Sequence, residues 1–136
     1  MAEAILRDMC AKDNELSSNG IEIKSAGTLD YLDGVSATNE AITVMQEKGI
    51  DLSSHRAQHI NADFLSWADI VLVMTPEHKS YINGEFGDPT NKVFQLTEFV
   101  GKRGSVSDPI GLGLEGYRKC ANHLMILLTL LKRQIL

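Results

Sequence analysis

The residues best suited to chemistry in this sequence are two cysteines, four histidines and the Asp-Pro pair at 108–109. Cys10 and Cys120 are too few and too far apart to indicate a disulfide framework or a zinc site, and free thiols in a reducing compartment are the simplest interpretation. No spacing of histidines or carboxylates is typical of a metal site, so no metal is predicted. The Asp108-Pro109 pair offers a carboxyl group for proton transfer, although Asp-Pro by itself is a common turn initiator.

A glycine-rich segment matches the spacing of a dinucleotide-binding loop. It reads Gly111-Leu112-Gly113-Leu114-Glu115-Gly116. That motif binds a pyrophosphate only between a strand and a helix, with an acidic residue about 20 positions further on. No predicted strand precedes it closely, and Glu115 would face the phosphates. We therefore predict no nucleotide cofactor, and we interpret these glycines as flexible residues beside the Asp108 loop.

Apolar patterns predict the elements that must position these residues. The predicted order is a helix over 1–18, a strand over 21–24, a helix ending near 48, a short helix from 61, a strand over 70–74, a helix over 76–86, a strand over 92–96 and a helix from about 114 to the end. The run Ile70–Met74 is continuously apolar, which is typical of a parallel strand covered on both faces. Thr75-Pro76 is a strong helix start. This alternation predicts an α/β domain with a parallel sheet between helices.

Length and composition favour a single soluble domain over residues 1–136. The net charge of -5 disfavours a surface that binds nucleic acid. The apolar run from 123 to 131 is shorter than the ~20 residues that span a bilayer, and no secretory signal begins the chain. We therefore expect a cytoplasmic protein without nucleic-acid or membrane partners. The sequence does not set its oligomeric state.

Five segments together resemble the low-molecular-weight protein tyrosine phosphatase family. They are Met1–Leu6, Ser25–Thr28, Gly49–Ala57, Ala68–Thr75 and Ser107–Pro109, in the family's order and spacing. Within that family, residues 92–100 and 108–111 look most like the bacterial branch that includes protein-arginine phosphatases. The resemblance implies a three-layer, doubly wound parallel sheet of the low-molecular-weight phosphatase type.

The resemblance also implies that the nucleophile is missing. In this family it lies in a Cys-x5-Arg-Ser/Thr-Pro loop, between the first strand and the first helix. Six positions after Cys10 stands Leu16, and six after Cys120 stands Ile126, so the chain contains no Cys-x5-Arg. The strand and loop that precede Met1–Leu6 in the family come to roughly 15 residues. We therefore expect the first, central strand to be absent from this N-terminally truncated domain.

The chemistry explains why that absence matters. Hydrolysis through a cysteinyl-phosphate needs a thiolate, which a helix N-terminus stabilises, and a bidentate arginine that holds the phosphate oxygens. Because the thiolate and the arginine must act together and their loop is missing, we expect the chain as written to be inactive. We also expect that the isolated chain folds poorly or aggregates, or that a gap separates Ile21–Lys24 from Ile70–Met74, the two neighbours of the central strand in this fold.

The resemblance assigns roles to five residues. Asp108 matches the general acid that protonates the leaving group and then activates water, and Pro109 holds it in its loop. Ser25 and His55 match positions that support the phosphate loop through hydrogen bonds. Ile110 stands where an aromatic residue commonly lines the substrate slot, and an aliphatic residue there disfavours stacking on phosphotyrosine.

The implied function is hydrolysis of phosphotyrosine or phosphoarginine on protein substrates, without a cofactor. A misplaced start or a truncated form would explain the missing loop. The alternative is a non-catalytic pseudo-phosphatase that serves as a binding or regulatory module. Arsenate reduction, a related activity on the same fold, would require resolving cysteines soon after the 70–74 strand, and that region has none.

Overall fold

A computed structural model of the chain describes residues 1–13, 20–87 and 91–135. The helices are α1 (Ala2–Ala11), α2 (Asn39–Glu47), α3 (Ala62–Trp67), α4 (Pro76–Phe86), α5 (Leu96–Phe99) and α6 (Gly113–Ile135). The strands are β1 (Val71–Val73) and β2 (Val93–Gln95), and a 3-10 turn spans Asp30–Leu32.

The two strands pair in parallel, with Val71 opposite Val93 and Val73 opposite Gln95. Parallel neighbours need a crossover between them, and α4 is that crossover. The predicted parallel sheet is therefore confirmed.

The main core lies where α1 and α2 pack against the long helix α6. Its deeply buried side chains include Ile5, Val44, Met45 and Leu127. At the surface of the same contact, the Arg118 guanidinium forms a bidentate pair with Glu47, with Nε–Oε1 and Nη2–Oε2 distances of 3.0 and 2.8 Å. This pair fixes α2 against α6 at one position along their length.

A smaller apolar cluster joins α4 to the sheet. It consists of Ile60, Val73, Ile82 and Val93. The helices at this end begin as the sequence predicts. Asn61 Oδ1 accepts from the Phe64 N–H at 2.9 Å, and Thr75 Oγ1 accepts from the His78 N–H at 3.3 Å. Each bond satisfies one of the N–H groups that a helix start leaves unpaired.

The predicted strand over residues 21–24 is wrong, since these residues have no regular secondary structure. A strand forms only where a neighbour pairs with its backbone, and neither described strand pairs with this segment. Instead, the Ile23 carbonyl accepts from the Arg7 guanidinium. Backbone pairing is found at Gly27, which forms an isolated parallel bridge with His59.

Other boundaries also differ from the predictions. Helix α1 ends at Ala11 instead of continuing to residue 18, and residues 14–18 of that prediction lie outside the described part of the chain. Both strands are shorter than predicted. The second strand stops at Gln95 because a new helix, α5, starts there: Glu98 Oε1 accepts from the Gln95 N–H at 2.8 Å, which closes a capping box.

The expected gap beside β1 is present. Residues 20–28 and residues 68–74 both line a cavity of about 750 Å³. The first helix contributes to its lining through Ala2, Glu3 and Leu6, and the last helix through Leu128, Leu131 and Ile135. The cavity therefore runs from β1 into the space that the helices enclose.

Neighbouring residues of α6 provide a matched test of this packing. Leu127 is 1% exposed and Ile126 is 60% exposed. Because Leu127→Ala removes buried carbon and leaves a cavity, we expect it to lower the free energy of unfolding by about 2–5 kcal/mol. Ile126→Ala should change it by less than about 0.5 kcal/mol. Urea denaturation of both variants measures the difference, and equal losses would contradict this assignment of the core.

Candidate active site

The Asp108 loop is fixed at its base and open at its tip. The Val106 N–H donates to the Met74 carbonyl at 2.9 Å, which ties the loop to the residue after β1. Beyond that point Asp108 is exposed, and its Oδ1 accepts from the Ile110 N–H at 3.0 Å. This local turn holds the carboxylate in a defined place in contact with solvent.

Two further hydrogen bonds stiffen the same loop. The Leu112 N–H donates to the Pro109 carbonyl at 3.0 Å. Upstream, the buried hydroxyl of Thr97 donates to the Gly104 carbonyl at 2.6 Å. The loop therefore has a defined path even though it contains no strand and little helix.

Helix α6 brings Cys120 beneath this loop. The Cys120 thiol donates to the Ser107 carbonyl, with 3.8 Å between Sγ and oxygen. Burial raises the pKa of this thiol, and the nearby Asp108 carboxylate adds to that shift. The contact with Ser107 places Cys120 at the base of the Asp108 loop.

Ser25 and His55 lie on two segments that are joined by backbone hydrogen bonds. The Ile60 N–H donates to the Gly27 carbonyl at 2.9 Å, and the Gly34 N–H donates to the Ala57 carbonyl at 2.7 Å. An antiparallel bridge between Ser36 and Arg56 adds a third contact. The structure therefore holds the segments around these two candidates together.

The individual environments of the two candidates differ. Ser25 is half-buried and lines the cavity beside β1. His55 is half-buried, and its backbone N–H donates to the Leu52 carbonyl at 3.2 Å. Within the described ranges, no hydrogen bond or ion pair joins either side chain to Asp108. Their supporting roles stay predictions.

Two contacts near these segments could not be predicted from sequence patterns. One is the contact of Cys120 with the Asp108 loop, which depends on how α6 docks. The other is a hydrogen bond of 3.3 Å between the Tyr81 hydroxyl and His59 Nε2, which links α4 to the segment that bridges Gly27.

Other kinds of site find little support in the described residues. Across residues 1–13, 20–87 and 91–135, no three His, Cys, Asp or Glu side chains are grouped as a metal site requires. No helix within these ranges is long and apolar enough to cross a bilayer. The glycine-rich segment follows an irregular loop, and α6 starts at Gly113 inside the segment, so it lacks the strand of a dinucleotide loop.

Comparison with known proteins decides the family. Residues 1–135 match the family model described as "Low molecular weight phosphotyrosine protein phosphatase". The chain belongs to this family. A protein-arginine-phosphatase of Geobacillus stearothermophilus is 36% identical to it over 117 residues, which are 85% of this chain and 78% of that protein.

Solved structures of this family share the fold. The low-molecular-weight protein tyrosine phosphatase of T. tengcongensis is 35% identical, with a TM-score of 0.84 over 98% of this chain and 88% of the other. A Cys-to-Ser mutant of the YwlE arginine phosphatase, with a phosphorylated active site serine, is 32% identical, with a TM-score of 0.87 over 98% and 85%. The predicted low-molecular-weight phosphatase fold is confirmed.

The proximity of Asp108 and Cys120 is testable through thiol reactivity. Asp108→Asn removes a negative charge that disfavours the thiolate, so the pKa of Cys120 should fall and its alkylation should accelerate several-fold at a pH below that pKa. Peptide-resolved mass spectrometry of iodoacetamide labelling measures this rate. Asp63→Asn, an exposed site on α3, is the control. An unchanged Cys120 rate in Asp108→Asn would contradict an electrostatic effect of Asp108 on this thiol.

Proposed function

We propose that this domain hydrolyses phosphorylated protein side chains through a cysteinyl-phosphate, with Asp108 as general acid and base. The observation that carries the proposal is the exposed Asp108 carboxylate, held by its own turn in a loop that contacts α6 through Cys120. The N-terminus of a helix favours a phosphate group through its free N–H groups and its dipole. We propose that a phosphate bound at the first turn of α1 lies within reach of the Asp108 carboxylate.

The proposed reaction has two steps, in which Asp108 first gives a proton and then takes one. A cysteine thiolate attacks phosphorus and forms an S–P bond, while the bond from phosphorus to the leaving oxygen or nitrogen breaks. Asp108 gives its proton to that leaving atom. The resulting carboxylate then takes a proton from water, whose oxygen attacks phosphorus. The S–P bond breaks, and phosphate and the thiolate are released.

Neither cysteine of the chain is suited to the nucleophilic role. Cys10 is buried, and burial with the nearby Asp13 charge raises the pKa of its thiol. The pKa of the Cys120 thiol is also raised. Both thiols are therefore protonated at neutral pH, whereas the reaction needs a thiolate. We propose that the nucleophile belongs to a Cys-x5-Arg loop outside these 136 residues, and that the chain is inactive without it.

Two substrate classes are compatible with this chemistry. Phosphoarginine is favoured by the similarity to the Geobacillus protein-arginine-phosphatase and by Ile110, an aliphatic residue that is 65% exposed beside the acid. Phosphotyrosine is favoured by the family description and by the T. tengcongensis relative. We place phosphoarginine first, because an aliphatic side chain offers a phosphotyrosine ring no aromatic stacking partner.

The proposal is tested by adding the nucleophile. A strand and a Cys-x5-Arg-Ser-Pro loop, fused before Met1, should confer hydrolysis of phosphoarginine or phosphotyrosine peptides, and the unfused chain should show none. In the fused protein, Asp108→Asn should lower kcat by about 10²–10⁴-fold, since the leaving group loses its proton donor. Asp63→Asn should leave kcat unchanged.

Three outcomes would contradict the proposal. They are hydrolysis by the unfused chain, hydrolysis by a fused protein whose loop cysteine is serine, and full activity of Asp108→Asn. Phosphopeptide binding by the unfused chain without hydrolysis, joined to an inactive fusion, would support a non-catalytic binding module instead.

Substrate preference is tested at Ile110 in the fused protein. Ile110→Phe should raise kcat/KM for phosphotyrosine peptides relative to phosphoarginine peptides by several-fold, because aromatic pairs are worth about 0.5–1.5 kcal/mol beyond their buried area. Leu112→Phe is the matched control, since Leu112 is 64% exposed on the same loop. An equal shift in both variants would show that Ile110 does not line the substrate slot.

A further inference from the structure

A short basic loop connects α5 to the Asp108 loop. It reads Gly101-Lys102-Arg103-Gly104. Gly101 and Gly104 have φ angles of 77° and 83°, in the left-handed region that glycine adopts without strain. The chain therefore turns sharply at both ends of the basic loop, and both residues between the turns are exposed.

One buried residue holds both ends of the basic loop. The Thr97 carbonyl accepts from the Lys102 N–H at 2.8 Å, and the Thr97 hydroxyl, on a residue that is 1% exposed, donates to the Gly104 carbonyl at 2.6 Å. Just beyond the loop, the Ser105 hydroxyl donates to Gln95 Oε1 at 3.0 Å, on the last residue of β2. The backbone of the basic loop is therefore fixed by contacts that do not involve its two basic side chains.

The two basic side chains have no acidic partner among the described residues. Neither Lys102 nor Arg103 forms an ion pair or a side-chain hydrogen bond there. By contrast, Arg118 Nη2 lies 2.8 Å from a carboxylate oxygen. The acidic residue of α5, Glu98, already lies 3.2 Å from the Lys79 ammonium. Because the chain has 18 acidic and only 13 basic residues, two adjacent cations without an acidic partner indicate a surface that meets a partner's negative charge.

The basic loop lies at the same edge of the sheet as the candidate acid. It follows the carboxyl end of β2 through α5, and beyond it the Val106 N–H donates to the Met74 carbonyl, just past the carboxyl end of β1. In open parallel sheets, ligands bind outside the carboxyl ends of the strands. Asp108 stands five positions after Arg103, and a chain of that length spans at most about 18 Å. An extended peptide covers this distance in about five residues.

We propose that the basic loop binds acidic side chains of the phosphorylated protein substrate, within about five residues of the phosphorylated one. The inference rests on the phosphatase function proposed above. The Arg103 guanidinium can hold a carboxylate through two parallel N–H bonds, and the Lys102 ammonium adds a second positive charge. Because both side chains are exposed, their attraction for a carboxylate is modest and falls as salt screens it. The basic loop therefore selects substrates by the residues that flank the phosphorylated position.

Paired phosphopeptides test the inference in the fused protein. Two peptides, of whichever phosphorylated class the fused protein hydrolyses, share one sequence. One has Glu and the other Gln at the third, fourth and fifth positions on both sides of the phosphorylated residue. We expect kcat/KM to be several-fold higher for the Glu peptide at low ionic strength, mainly through a lower KM. The difference should shrink at 1 M salt, where the Debye length is about 3 Å.

Charge variants locate the effect. The double variant Lys102→Gln, Arg103→Gln should bring kcat/KM for the Glu peptide down to the value for the Gln peptide. The control is Lys12→Gln, Arg133→Gln, which removes the same charge and should keep the preference. Lys12 lies at the end of α1 and Arg133 in the last turn of α6. Arg133 stands 13 positions after Cys120, which is about 20 Å along the helix.

A titration of the chain itself tests the same contact without catalysis. The probe is the Glu peptide without its phosphoryl group. Its addition should shift the amide NMR signals of residues 101–104 in a saturable manner, whereas the Gln peptide should not. The double variant Lys102→Gln, Arg103→Gln should lose these shifts, and the control variant should keep them.

The outcomes separate this inference from the phosphatase proposal. If the fused protein is active, equal kcat/KM values for the two peptides would overturn the inference and leave the phosphatase proposal standing. A preference that survives in Lys102→Gln, Arg103→Gln would do the same. An inactive fused protein counts against the phosphatase proposal, and the titration then decides the inference. Saturable shifts that the double variant loses support acidic-peptide binding, and unshifted signals at residues 101–104 overturn it.

Discussion

The packing of α6 against α1 and α2 is the contact on which the rest of the molecule depends. The helix has 23 residues, and its inward side chains supply much of the main core. One result is that the sheet is packed against the helices, because α5 and β1 contact the same core. Another is positional: α6 carries Cys120 to the base of the Asp108 loop, and α1 packs against the same helix. The candidate site is therefore assembled by helix packing rather than by the short sheet alone.

Local signals in the sequence were sufficient to predict most of the helices. The caps at Asn61 and Thr75 formed as predicted, since each depends on a side chain and an N–H three residues apart. The prediction of a strand over residues 21–24 failed for the opposite reason. A strand depends on a neighbouring strand that is distant in sequence, and alternation of side chains does not show whether that neighbour is present. The short helix α5 was missed because its capping box, Gln95 with Glu98, directly follows an apolar strand pattern.

The residues of the candidate site could be predicted only through the family resemblance. Asp108 and its Pro109 neighbour were recognised through that resemblance, because Asp-Pro alone indicates no more than a turn. The position of Cys120 under the loop depends on the rotation of α6 about its axis. That rotation is set by the whole core, including Leu127 and Val44, and no local pattern around Cys120 encodes it.

The Asp108 loop is attached to the rest of the protein at two points. Val106 is bonded to the end of β1, and Ser107 contacts α6 through Cys120, so the two residues before the carboxylate belong to the rigid framework. An acid held in this way loses its conformational freedom when the protein folds, and not again in each turnover. For the reaction proposed above, the carboxylate is then already in its place when the substrate binds.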